Sequence, residues 1–192
     1  MRYIVIDFET NGFASRGSDS YHAPLPWQNF PTQIAVFVVD HGAVEYAYDT
    51  LISGAAQLSL WVHRNVPLSL EEIDTGKPLE EVIRDLALII KDDDVIVTHN
   101  TEYDMDEVLA KSARGLMIRG PELQRILSRP RLCTCKCSYS VSVFGKWPKL
   151  SDLCNHFGTV DFEDKHEAVH DAAALALCVA QAWRRGVMLP YI

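Results

Sequence analysis

The sequence predicts an α/β protein built on one mixed sheet covered by helices. Three observations carry this. Strand-like patterns dominate the first 52 residues. From Pro78 onward, helical and strand-like patterns alternate. The chain has 192 residues and 48% hydrophobic content, enough for one sizeable core. Strands first, then alternating helices and strands, is the order expected when a mixed sheet is packed under helices. No repeat, low-complexity tract or linker divides the chain, so residues 1–192 read as a single domain.

The elements follow in order. Arg2–Asp7 is a short, almost continuous apolar run, the mark of a central strand buried on both faces. Residues 14–31 are rich in Ser, Gly and Pro and read as a long loop carrying Tyr21, Trp27 and Phe30. Gln33–Val39 and Val44–Ile52 read as two strands joined by a turn at His41-Gly42. A helix starts near Pro78, which suits a first helical turn, and runs through Ile90. Its Leu79, Val82, Ile83, Leu86 and Ile90 fall at helical spacing, and Asp92–Asp94 ends it. Val95–Thr98 is a buried-type strand. Asp104–Ser112 reads as a helix with Met105, Val108 and Leu109 inward, and Arg131–Cys135 as a fifth strand. Leu150–Phe157 is a helix stopped by Gly158. Ala168–Trp183 is the clearest helix and stops at Gly186.

Composition excludes several classes. No apolar run approaches the ~18 residues of a membrane span, and the N-terminus lacks the apolar stretch of a signal peptide. An intracellular protein, cytoplasmic or nuclear, without a membrane partner is expected. Five cysteines at this chain length do not suggest a secreted disulfide framework. Cys133, Cys135 and Cys137 alternate, which on a strand places the thiols on one face, but no paired C-x-x-C knuckle accompanies them. Reduced cysteines are expected. A formal charge of −8 argues against a protein that coats nucleic acid. From Leu123 to Ser151, however, there is no Asp or Glu and six basic residues: Arg125, Arg129, Arg131, Lys136, Lys146 and Lys149. That strip reads either as a steering surface for a phosphate backbone or as a solvated basic face.

The candidate chemistry lies in three separated segments. Asp7 and Glu9, at i and i+2, point to the same face of a strand. A D-x-E pair alone is common on surfaces, but the apolar run before this one puts it at the end of a central strand. VIVTHNTEYD repeats the logic: strand, turn, then an acid in the first turn of a helix. Asp106 and Glu107 rival Asp104 there, and spacing from His99-Asn100 favours Asp104. HEAVHDA contributes His166 and Asp171. Gathered carboxylates repel one another and lose hydration, so they need a counter-charge, and a hard divalent cation with oxygen ligands suits them. HEAVH also matches H-E-x-x-H, a zinc-protease pattern when both histidines share a helix face. Such sites need a third protein ligand, and no Asp, Glu or His follows Asp171. That reading would also leave Asp7, Glu9 and Asp104 idle.

Taken together, IVIDFETNGF, VTHNTEYD and HEAVHDA resemble the DEDDh branch of the DnaQ-like 3′–5′ exonucleases, within the ribonuclease H-like fold. The resemblance covers most of the chain. PTQIAVFVVDHGAVEYAYDTLI is similar to the family's second and third strands, WVHRNVPLSLEEI to the segment before its first helix, and RLCTCKCSY with KLSDLCNHFG to its later strand and helix. It implies a mixed five-stranded sheet flanked by helices. It implies a metal-dependent enzyme that hydrolyses phosphodiester bonds at the 3′ ends of single-stranded DNA or RNA and releases nucleoside 5′-monophosphates. By position, Asp7, Glu9, Asp104 and Asp171 would hold two divalent cations, Mg²⁺ or Mn²⁺, with Asp7 bridging them, and His166 would be the general base. Thr10, Phe13, His63, His99 and Asn100 match positions that line the family's substrate site. A polymerase is an implied partner class, and a homodimer has no signature in the chain. The alternative on the same fold is a non-catalytic nucleic-acid-binding or polymerase-accessory module. The acid set speaks against it, because a pure binder gains little from groups that repel phosphate.

Overall fold

A computed structural model describes residues 1–12, 29–66, 68–159 and 166–187. Phe13, Tyr21 and Trp27 lie outside the described residues. The first strand, β1 (Arg2–Thr10), extends past the apolar run to include both Asp7 and Glu9. β2 (Pro31–Asp40) and β3 (Ala43–Ser53) form an antiparallel hairpin. His41 and Gly42 both adopt positive φ (49° and 78°), the two-residue turn whose twist matches that of paired strands. Two short helices follow, α1 (Leu60–Asn65) and α2 (Leu70–Ile73), each capped by a serine. Then come β4 (Lys77–Pro78) and α3 (Leu79–Ile89). β5 (Val95–Thr98) leads into a π-helix (Glu102–Ala110), which continues as α4 (Lys111–Gly115). α5 (Pro121–Leu127), β6 (Arg131–Cys133), α6 (Ser138–Phe144), α7 (Leu150–Phe157) and α8 (Ala168–Arg184) complete the described chain.

The strands form one mixed sheet in the order β4-β3-β2-β1-β5-β6. β1 is central, antiparallel to β2 and parallel to β5, and β6 is parallel to β5. The five strands expected are present; the sixth, β4, is a two-residue edge pairing with Ile52 and Ser53. Alternation along β1 sorts its side chains. Ile4, Ile6 and Phe8 enter a core with Val82 and Leu86 of α3 and with Met105, Val108 and Leu109 of the π-helix. Tyr3 and Val5 face the other way, toward Leu175, Ala176 and Val179 of α8. Asp7 and Glu9 continue this second row. Phe30 closes the expected loop by packing in the first core at 1% exposure.

Two sequence expectations need correction. Arg131–Cys135 ends as a strand at Cys133, so the three alternating thiols do not share a strand face. Cys135 and Cys137 lie in the turn beyond it, because Thr134 and Cys135 donate their N–H groups to Thr98 and His99 carbonyls and bend the chain. All five cysteines are buried and unbridged. The segment around Asp104 is a π-helix, not an α-helix, with no signature in its apolar spacing. Among the described residues, no helix is long and apolar enough to cross a membrane.

Candidate active site

Small residues bring α8 down to the sheet. Ala168 and Ala172 pack against Ala35, which lies opposite Asp7 in the β1–β2 register. With no side chain beyond Cβ at these three positions, the first turn of α8 lies directly over the end of β1. The Ala168 N–H donates to Gln33 Oε1 at 3.1 Å, fixing the helix start against β2. Asp171, one turn in, therefore meets the β1 acids. One carboxylate oxygen from each of Asp7, Glu9 and Asp171 lies within 4.8 Å of the others. Among the described residues, this is the one group of three or more His, Cys, Asp or Glu side chains so placed. The three are half-buried and offer oxygen only, a donor set suited to Mg²⁺ or Mn²⁺ rather than to a soft ion.

These acids line a cleft of about 560 Å³. Asp104, outside the triad, lines the same cleft from the first turn of the π-helix, and so do Thr10, His99, Asn100 and His166. Asp104 is 5% exposed, and burial pushes its carboxyl up to about 7, against hydrogen bonds from Thr98 and Asn100 that pull the other way. The group resists ionising until something positive compensates it. π-turns inside helices recur at functional sites because they displace one residue from the regular ladder.

His166 precedes α8 and is held at φ 51°, a left-handed conformation that costs a non-glycine residue about 1–3 kcal/mol. Its ring meets the Trp61 ring edge to face, with centroids 4.7 Å apart and planes at 76°. Because His166 lies outside the helix, it and His170 do not share a helix face, and the H-E-x-x-H zinc reading fails on geometry.

His99 lines the cleft while half-buried, with both ring nitrogens engaged. Its Nε2–H donates to the Pro148 carbonyl at 3.0 Å, which leaves Nδ1 to accept from the Thr134 hydroxyl at 3.0 Å. Burial lowers its pKa to about 4. It is a neutral brace between the end of β5 and the far cleft wall. His63, on α1, is exposed and does not line the cleft. Phe13 lies outside the described residues.

Three further cleft residues lie in the segments that carry the resemblance but have no role assigned there. Trp61 lines the cleft while 46% exposed. Tyr103 lies between Asn100 and Asp104, its hydroxyl 3.1 Å from Thr10 Oγ1, and burial pushes its phenol up to about 12. Lys149 lines the cleft as well. For Tyr103, the adjacent Asp104 was the signal. Trp61 arrives through a tertiary tie that no local pattern announces. The Ser59 N–H donates to the Asn11 carbonyl at 2.8 Å, and a Cβ on Gly12 (φ 128°) would come within 2.4 Å of Ser59 Oγ. Only glycine lets the chain that starts α1 approach the end of β1 so closely.

Comparisons with known proteins bear on the family and the fold. The family model described as exonuclease, of RNase T type, matches residues 4–178. A DNA polymerase III PolC-type protein of Streptococcus pneumoniae serotype 2 is 27% identical over 172 residues, which is 90% of this chain. The chain spans 10% of that relative's length. Among solved structures, the nuclease domain of 3′hExo, a DEDDh family member bound to rAMP, superposes with a TM-score of 0.74 at 15% identity. That match covers 100% of this chain and 96% of the other. Exonuclease X in complex with 5′ overhanging duplex DNA gives a TM-score of 0.65 at 16% identity, covering 97% and 95%. At such identities these likenesses establish the fold, a ribonuclease H-like exonuclease architecture.

Proposed function

Because the chain belongs to the RNase T exonuclease family, the DnaQ-like class that its motifs resemble, we propose that it is a metal-dependent 3′–5′ exonuclease of the DEDDh type. It shortens single-stranded DNA or RNA from the 3′ end and releases nucleoside 5′-monophosphates. The observation that carries this is the meeting of Asp7, Glu9 and Asp171 within 4.8 Å in a cleft shared with Asp104 and His166.

Asp7, Glu9 and Asp171, with Asp104, are the residues that would hold two divalent cations. When bound, such cations supply Lewis-acid stabilisation of the attacking and leaving oxygens of the phosphodiester. The remaining work falls to the chain itself. His166, which lines the cleft, accepts the proton of the attacking water through its imidazole. The Trp61 ring packs against that imidazole. Thr10 and Asn100 present polar groups to the terminal sugar, and His99 keeps the opposite wall in place. Any base fits a site that reads backbone and sugar, so sequence tolerance follows. The likeness to part of a PolC-type polymerase supports a polymerase as partner.

The test uses two variants. His166→Ala should lower turnover at least about a hundredfold, the ordinary contribution of a general base, and leave Mn²⁺ binding by calorimetry nearly intact. Asp7→Ala should abolish both. Full activity in the first variant contradicts His166 as the base, and an unchanged Mn²⁺ titration in the second contradicts Asp7 as a ligand. Digestion of DNA and RNA oligomers of equal sequence, side by side, fixes the sugar preference.

A further inference from the structure

The acid-free stretch from Leu123 to Ser151 splits in two in the folded protein. Its three arginines serve the fold. Arg125 and Arg129 pair with Asp92, and Arg125 also donates to the Ala87 and Ile90 carbonyls. Arg131 pairs with Asp106 at 2.8 Å. Of the three lysines, Lys149 lines the cleft wall with Pro148, Leu150 and Ser151, Lys146 precedes that wall in the chain, and Lys136 reaches it through Trp147. Lys146 and Lys149 are exposed. Between them Trp147 stands 64% exposed, with Lys136 Nζ 4.7 Å from its ring centroid. Lys136 also pairs with Glu102 across the rim.

An exposed indole keeps its apolar area available to a partner's ring, and this one sits on a firm base. The next residue, Pro148, is buried, and its carbonyl is held by His99. The Lys149 N–H donates to Asp152 at 3.0 Å, fixing the other side. The result is an exposed aromatic ring one residue outside a cleft lined by carboxylates, with the Lys136 ammonium over it and exposed Lys146 and Lys149 on either side of it in the sequence. A polynucleotide has the complementary chemistry, with π-faces for the ring and phosphates for the lysines. Stacking does not discriminate among bases, which suits an enzyme that must pass every nucleotide.

We propose that Trp147, with Lys136, Lys146 and Lys149, is a stacking platform that grips the single strand on the 5′ side of the nucleotide being removed. The proposal rests on the exonuclease reading for its directionality, but the binding itself does not depend on hydrolysis. The terminal nucleotide occupies the cleft. The strand behind it crosses the Pro148–Lys149 wall and lays a base on Trp147, and the lysines offset charge that the acidic centre would repel.

The experiment compares a dinucleotide, which fills the cleft and little more, with a longer oligonucleotide that reaches the platform. In Trp147→Ala, kcat/KM on the long substrate relative to the dinucleotide should fall roughly five- to a hundredfold, mostly through KM, with Trp147→Phe restoring most of it. In Lys146→Gln/Lys149→Gln, the slope of log affinity against log salt should fall by about 1.4, about 0.7 per lost phosphate contact. An equal loss on both substrates, or none on either, overturns the platform. If the wild-type protein hydrolyses neither substrate, the exonuclease reading has failed. Fluorescence anisotropy of the labelled long oligonucleotide then still decides the platform. Weaker binding by Trp147→Ala supports it, and unchanged binding removes it, leaving a protein partner as the occupant of this face.

Discussion

At position 99, burial decides what an imidazole can do. With its pKa lowered to about 4 by burial, this cleft-lining histidine stays neutral and braces the wall behind it. The linkage has a definite sign. The unfolded chain binds a proton near pH 6.5 and the folded chain does not until about pH 4, so stability falls as pH falls through that window. The loss attributable to His99 is about 3 kcal/mol. Denaturant titrations of wild type and His99→Gln at pH 7 and pH 4.5 check it: the variant should lose markedly less stability between the two, and equal losses would contradict the assignment. Asp104 has the opposite sign. Burial raises its folded pKa to about 7, so its favourable contribution is present below pH 4 and is lost as pH rises through 7. In chelator at pH 8, Asp104→Asn should therefore melt higher than wild type, and the gap should close at acidic pH. A lower melting temperature at pH 8 would show that Asp104 is not a desolvated acid.

Among the elements, α8 sets the geometry of the site. Its periodicity was plain in the sequence, as were α7 and β5, whose observed bounds match the expected ones. These segments combine strong apolar patterning with clear stops, so local rules suffice. The three-point approach of Ala35, Ala168 and Ala172 was not legible, because alanine carries little pattern signal and the contact is long-range. Its consequence is testable. Ala172→Leu forces the helix off the sheet at a cost of about 1–3 kcal/mol. It should weaken Mn²⁺ binding at least tenfold while the protein stays folded by circular dichroism. Retained affinity would mean that close packing of α8 does not place Asp171. Short elements escaped as well. α1, α2, α5 and α6 have between four and seven residues, too few for a periodic signal, and β4 pairs through two. The π-helix escaped for another reason: Met105, Val108 and Leu109 fit either winding, and only the backbone tells them apart.

Across the whole molecule, the fold gathers residues separated by most of the chain. Asp7 and Glu9 come from the central strand, Asp104 from the element after the neighbouring strand, and Asp171 from the final helix. β1 is flanked by β2 on one side and β5 on the other, so its end is where the loops on both sides meet. That topology explains why the acids were legible in the sequence while the cleft's aromatic and basic walls were not. Asp7 and Glu9 end a strand, Asp104 follows one and Asp171 lies in the clearest helix, and each of these segments has a strong local signature. Trp61 and Lys149 reach the cleft through the Asn11–Ser59 and His99–Pro148 ties. On the proposed function, this convergence is a 3′-directed, cation-dependent nuclease centre. Incubation of a 5′-labelled oligonucleotide with the protein and Mn²⁺, sampled over time on a sequencing gel, tests it directly. The account predicts a ladder that shortens one nucleotide at a time from the 3′ end and stops on adding chelator. Immediate release of labelled mononucleotide, cleavage at internal positions, or a ladder indifferent to chelator would contradict it.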